Sequence, residues 1–349
     1  MHVRIVAAKG RGAGLPGRDG SEVRVMEIAP TRRQLLAAGA ALTGIAPAAA
    51  FGQAGAAEER VPLWPGNPPG WRGAVIRRSV DDQSRDPARP DRWITGIAEP
   101  YLVVSRPELP NGAAALVVPG GSYTFLSFDN EGTSQAAWLN GRGVTAFILM
   151  YRLPGEGWDR RAFVPLQDAQ RAMRLIRSRA ADFSVDAERI AVLGFSAGGH
   201  LAGSLATRHD ELVYDPVDSI DLASARPDLA GLVYPVISFS APFTHGNSRD
   251  NLLGADAPAA LRRSASVENR VTAATPPTFI VHTADDGLVP VGNSLAFYSA
   301  LIAAGRPAEL HLFDEGGHGF GVRLPRTMPG SAWPDLFHAF GVRKNVFRA

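Results

Sequence analysis

The stretch IAVLGFSAGGHLAG, Ile190 to Gly203, decides how the chain is read. Four apolar or small residues lead to Gly194 and Phe195, which is the length and composition of a buried strand. Ser196 follows, and small residues continue through Gly199 in a pattern that opens a helix at Ala197. A serine held between glycines at a strand-to-helix turn is the G-x-S-x-G elbow. The turn is so tight that its central residue adopts a strained backbone and its flanks must be small. Gly194 and Gly198 meet that need. The geometry lifts the Ser196 hydroxyl above the carboxyl ends of the strands, where open α/β sheets bind ligands. The start of the following helix favours negative charge there. Ser196 is therefore the candidate nucleophile.

Working outward, the chain alternates strand and helix. The runs AALVVPG (114–120), VTAFILMY (144–151), RIAVLGF (189–195), LAGLVYPVIS (229–238), PPTFIVHT (276–283) and AELHLFD (308–314) are rich in Val, Ile, Leu and Phe. None alternates cleanly with period two, so each is expected to be buried on both faces of a parallel sheet. Helices are expected over GTSQAAWLNGRG, VPLQDAQRAMRLIRSRA and VGNSLAFYSALIAAGR. In the second, Leu166, Ala169, Met173 and Ile176 share one face, which leaves Asp168, Arg171, Arg174 and Arg177 for solvent. The fold class is α/β, a doubly wound, mostly parallel sheet with helices on both faces and right-handed crossovers. Ahead of it, AVIRRSV (74–80) and YLVVSRP (101–107) read as an antiparallel hairpin. Residues Ala241 to Ala274 are expected to form an irregular lid or substrate-facing insert.

A serine hydroxyl is a poor nucleophile unless a base takes its proton and an acid orients that base. FIVHTADDGLVP (279–290) carries Asp285 and Asp286 at the end of a strand, and either is placed to serve as the acid. LHLFDEGGHGFG (310–321) carries His318 on a glycine-rich loop after the last strand. His282 and His311 sit within strands, and His200 lies just inside the helix after Ser196, so His318 is the candidate base. VVPGGSYTFLSF (117–128) follows the first parallel strand. Its glycines let backbone approach a substrate carbonyl, and the N–H of Gly121 or Ser122, with that of Ala197, is expected to form the oxyanion hole. Gly120 and Tyr123 are expected to contact substrate, Tyr123 as a stacking surface. Ser122, Asp129, Asn130, His245, Asn247, Arg249 and Asp250 could offer it hydrogen bonds.

The 349 residues carry 36 basic and 34 acidic side chains, and no basic run marks a nucleic-acid surface. The absence of cysteine excludes disulfides, thiolate catalysis and cysteine zinc sites. Residues 1–57 read as an extension with a twin-arginine export signal: Arg32 and Arg33, a short apolar run from about Leu35 to Ala50, then small residues around the expected cleavage site. Met26 fits that signal as a start. A periplasmic or secreted location is expected. Residues 58–349 are expected to be one domain, with no membrane insertion once the signal is gone.

With these motifs in order, the chain from about Pro100 to Val322 resembles the α/β-hydrolase fold. Within it the chain is most similar to bacterial xylan and sugar acetyl esterases, near the feruloyl-esterase-like and hormone-sensitive-lipase-like branches. The resemblance places the nucleophile on Ser196, the acid on Asp286 in D-x-x-V-P, and the base on His318 in G-x-H-G-F. Pro119-Gly120-Gly121-Ser122 stands where the lipase branch has His-Gly-Gly-Gly. It implies a serine esterase acting through an acyl-enzyme on short acyl esters of carbohydrates, with no metal and no organic cofactor. Glu131-Gly132 also recurs in that branch, and Glu131 is expected to be structural. The rival readings are a prolyl-oligopeptidase-like peptidase or amidase, and a carboxylesterase or lipase for apolar esters. A non-catalytic hydrolase-fold binding protein would be expected to have lost one of the three residues.

Overall fold

A computed structural model describes residues 58–86 and 89–349; the expected export signal lies outside the described residues. The described residues belong to one compact unit. The strands are β1 (Arg60–Pro62), β2 (Ser79–Asp82), β3 (Arg92–Thr95), β4 (Tyr101–Ser105), β5 (Ala114–Val118), β6 (Leu126–Ser127), β7 (Thr145–Met150), β8 (Ile190–Phe195), β9 (Leu229–Val233), β10 (Thr278–Thr283) and β11 (Ala308–Phe313). Eight form one sheet in the order β1-β4-β7-β5-β8-β9-β10-β11. β4 pairs antiparallel with β1 and β7, and every other pairing in that sheet is parallel. Strands β5, β7, β8, β9 and β10 are buried at every position. That is what unbroken apolar runs demand when both sheet faces are covered.

The helices are α1 (Ser134–Asn140), α2 (Val164–Ser178), α3 (Ser196–Thr207), α4 (Gly246–Leu253), α5 (Ala259–Ala265), α6 (Gly292–Ala303) and α7 (Trp333–Arg343). Successive residues of β9 show the layering. A Cβ on Gly231 would meet the Phe337 ring of α7 at 2.6 Å, whereas Leu232 reaches Gly203 of α3. Neighbouring strand residues point to opposite faces, so α7 covers one face and α3 the other.

Four expectations are corrected. AVIRRSV and YLVVSRP do not pair with each other. Ser79–Asp82 pairs with β3 in a separate three-stranded sheet, β2-β3-β6, while Tyr101–Ser105 joins the main sheet. Strand β11 is only half-buried, because it is the edge of the sheet. The Ala241–Ala274 stretch contains α4 and α5 rather than being irregular throughout. On α2, Asp168 and Arg171 are buried instead of facing water. Asp168 accepts from Arg152 at 2.7 Å and from the Trp64 indole at 2.9 Å, and Arg171 grips Asp218 and Asp221. The lead-in around Leu63 and Trp64 seals this face of α2, so Asp168 is buried with Arg152 and Arg171 with the Asp221 side chain, while Asp218 stands at the surface. A buried ion pair that loses one member leaves the other unpaired, at a cost of about 3–5 kcal/mol. Asp168→Ala should destabilise the fold by that amount in a urea titration. A loss under about 1 kcal/mol would refute the pairing.

Candidate active site

Ser196 sits where β8 ends and α3 begins, with φ +51°, a left-handed conformation that costs a non-glycine residue about 1 kcal/mol or more. The neighbours explain why small residues flank it. A Cβ on Gly194 would lie 2.4 Å from the Gly198 carbonyl oxygen, and one on Gly198 would lie 2.2 Å from the Val118 carbonyl oxygen. Strand, turn and helix therefore close on one another with no space for side chains, and the hydroxyl is pushed out at the strand ends.

His318 meets it there. The His318 Nε2 accepts the Ser196 hydroxyl at 2.9 Å, and its Nδ1–H donates to Asp286 Oδ2 at 2.7 Å. Asp286 Oδ1 accepts the Leu288 and Val289 amides, each at 2.9 Å. Burial alone would raise the Asp286 carboxyl. Hydrogen bonds from His282 and His318 outweigh it and hold the group well below the usual carboxylate range. Asp285 is the exposed neighbour. It accepts the Gly317 and Gly316 amides at 2.8 and 3.1 Å, so it ties down the loop that carries His318 and does not touch the imidazole. Both carboxylates lie just past the end of β10, as expected, and the structure separates their contacts.

Three side chains support this assembly, and of them the sequence singles out Glu131 alone, as structural. His282, expected to be a core residue, is buried, but its Nε2–H is shared between Asp286 Oδ2 at 3.0 Å and the Val289 carbonyl at 2.9 Å. Its other nitrogen accepts from Ser294. The acid is thus gripped by two imidazoles. Glu131 and Tyr234 are the other two, buried against the back of the same site. The sequence signal for His282 was its position four residues before Asp286; nothing comparable marked Tyr234.

The loop after β5 carries the amides expected to receive an oxyanion. Among the described residues the amides of Gly121 and Ser122 have no protein acceptor. The Ala197 amide lies in the first turn of α3, where backbone N–H groups have no intrahelical partner. Two substrate contacts are corrected. The Gly120 amide is taken by Glu131 Oε2 at 2.7 Å. The Tyr123 ring is buried, and its hydroxyl donates to His200 Nδ1 at 2.8 Å, so it offers no stacking face. Burial pulls His200 down to about 4, which keeps it neutral, and its Nε2–H donates to the Ala265 carbonyl at 2.9 Å. Ser122 and Tyr123 both hold left-handed backbone, φ +52° and +63°. The insert secures both: Ala265 of α5 through His200, and Asn251 of α4, which donates to the Ser122 carbonyl at 2.9 Å.

The expected polar contacts divide. Asp129 is buried against Arg92, and Asn130 donates to the Gly319 carbonyl, steadying the His318 loop. Arg249 and Asp250 pair with each other. His245 is held by Ser248 close enough to feel the charges of His318 and Asp286, and burial lowers its pKa. Among the described residues no cluster of three or more His, Asp or Glu is arranged to hold a metal ion, and no helix is long and apolar enough to cross a membrane.

This sheet order, elbow and Ser-His-Asp alignment define an α/β hydrolase, and solved α/β-hydrolase structures superpose on the chain. Residues 113–301 match the BD-FAE family model, and the chain belongs to that family. It is 36% identical over 224 residues to an acetylxylan esterase of Xylanibacter ruminicola, covering 63% of this chain and 43% of that one. It is 37% identical over 207 residues to endo-1,4-beta-xylanase B of Butyrivibrio fibrisolvens, covering 59% and 32%. The chain thus spans less than half the length of these two relatives. The crystal structure of an acetyl ester-xyloside bifunctional hydrolase from Caldicellulosiruptor lactoaceticus matches with a TM-score of 0.64 and 36% identity, over 81% of this chain and 97% of that one.

Proposed function

We propose that the protein is a serine esterase that removes short acyl groups, acetyl first among them, from carbohydrate esters. The observation that carries this is the continuous hydrogen-bonded line from Ser196 through His318 to Asp286, beside the unpaired amides of Gly121 and Ser122. His318 takes the Ser196 proton as the hydroxyl attacks the ester carbonyl. The backbone amides receive the oxyanion, and Asp286 stabilises the imidazolium. His318 then protonates the leaving alcohol. Water enters by the same base-assisted step and frees the acid.

The carbohydrate part of the proposal rests on the similarity to an acetylxylan esterase and to the acetyl ester-xyloside hydrolase. It also rests on the insert, whose helices carry Arg249, Asp250, Arg262 and Arg263 rather than the apolar face a lipase lid needs. kcat/KM should fall at least about tenfold from acetyl to octanoyl p-nitrophenyl esters, since each misplaced methylene changes the fit by about 1 kcal/mol or more. Acetate should be released from acetylated xylan or acetylated sugars, measured enzymatically. A preference for octanoyl esters with no acetate from any acetylated carbohydrate would favour the lipase reading instead.

A further inference from the structure

Behind the loop that carries the oxyanion donors lies a carboxylate that the triad does not use. Glu131, just ahead of α1, is buried, with 3% of its surface exposed. Its Oε2 accepts the Gly120 amide at 2.7 Å, and its Oε1 accepts the Tyr234 hydroxyl at 2.9 Å. The Tyr234 oxygen in turn accepts the Gly321 amide at 3.1 Å, three residues past the base. The Tyr234 ring lies against the His318 ring, 4.7 Å between centroids. Glu131 therefore joins the loop after β5 to the end of β9, and through Tyr234 the link continues to the base loop.

Counting protons defines its charge. The Gly120 amide and the Tyr234 hydroxyl each donate to a different Glu131 oxygen, and the Gly321 amide donates to Tyr234. A protonated Glu131 would have to turn the Tyr234 hydroxyl from donor to acceptor, which leaves the phenol proton with no acceptor among these three. The carboxylate form satisfies all of them. Burial raises the Glu131 carboxyl above its ordinary value, and a positive charge on His318, the Gly120 amide and the Tyr234 hydroxyl offset that rise only in part.

We propose that Glu131 is a second, buried carboxylate of the machinery: a positioning residue that locks the oxyanion loop to the base loop and favours the positive form of His318 by its charge. This rests on the serine-esterase reading above. The other ionisable groups around His318 are Asp286 and His282 beyond its Nδ1, Ser196 at its Nε2, Tyr234 on one ring face, and His245 approaching from the insert. Around Glu131 they are Asp91, Tyr151 and Tyr234. Asp285, at the base of the loop, is exposed. None of these is altered when Glu131 becomes glutamine.

The test is steady-state hydrolysis of p-nitrophenyl acetate by the full chain, by Glu131→Gln and by Tyr234→Phe, from about pH 5 to about pH 9. Glu131→Gln should lower kcat about tenfold to a hundredfold with KM within about threefold, because the lost support is for the transition state. Its acid limb in kcat/KM should also move to lower pH by about half a unit or more, since a negative charge that favoured the imidazolium is gone. Tyr234→Phe keeps that charge and cuts the link, so kcat should fall about tenfold with the acid limb unmoved. Native kcat in either variant overturns the proposal. So does a Glu131→Gln profile that falls in height but keeps the native acid limb, which would leave Glu131 a brace alone. If Glu131→Gln does not fold, the Tyr234→Phe result still decides. Every variant is read against native turnover, so failure of the esterase reading would appear in the native protein and failure of this inference only in the variants.

Discussion

Ser196→Ala should reduce kcat for p-nitrophenyl acetate by about four to six orders of magnitude, with the melting temperature within about 3 °C of native. The activity loss follows from removing the atom proposed to form the acyl-enzyme; the donors proposed at Gly121 or Ser122, with Ala197, would still bind and polarise the carbonyl, which leaves a small residual rate. The unchanged stability follows from what the hydroxyl touches. Among the described residues its one hydrogen bond is to His318, which lies partly open to solvent and can turn to water. Alanine at a φ of +51° suffers the same backbone strain as serine, so the elbow is neither relieved nor worsened. Turnover within tenfold of native would remove Ser196 from the mechanism.

Asp286→Asn should cost kcat about 10⁴-fold, while Asp285→Asn costs less than about tenfold. An asparagine at 286 that keeps accepting the Leu288 and Val289 amides must turn its NH₂ toward His318 and His282. The imidazole of His318 then accepts at Nδ1 and is left protonated at Nε2, the nitrogen that has to take the serine proton. At position 285 the loss is two amide contacts on an exposed carboxylate, replaceable in part by the amide oxygen. Parallel kinetics on the two variants decide the assignment, and a reversed order would exchange the roles.

What the sequence made legible, and what it hid, divides along a physical line. β5, β7, β8, β9 and β10 were readable because burial on both faces leaves an unbroken apolar run. Ser196 and His318 were readable because their chemistry needs small neighbours that stand out against any background. The pairing of β2 and β4 was not, since strand partners are chosen across space and AVIRRSV names no partner. Asp168 and Arg171 defeated the helical wheel because a wheel registers charge and not the counter-charge waiting at Arg152 or Asp218. His282 and Tyr234 look like ordinary core residues until the fold brings Asp286 and Glu131 to them.

The left-handed pair Ser122 and Tyr123 has a bearing on how this scaffold can be altered. Two residues that backbone preference would release are kept in place by a hydrogen bond from Asn251 to the Ser122 carbonyl and one from the Tyr123 hydroxyl to His200, whose far nitrogen donates to Ala265. The segment that a protein engineer would exchange to change substrate range, Ala241 to Ala274, therefore also sets the shape of the loop that receives the developing oxyanion. Grafting a foreign insert here removes His245 from beside His318 and, in the same operation, a splint of the loop that carries Ser122. A transplant that leaves out an amide donor at 251 or a carbonyl at 265 exchanges specificity at the expense of the scaffold that lets any substrate react.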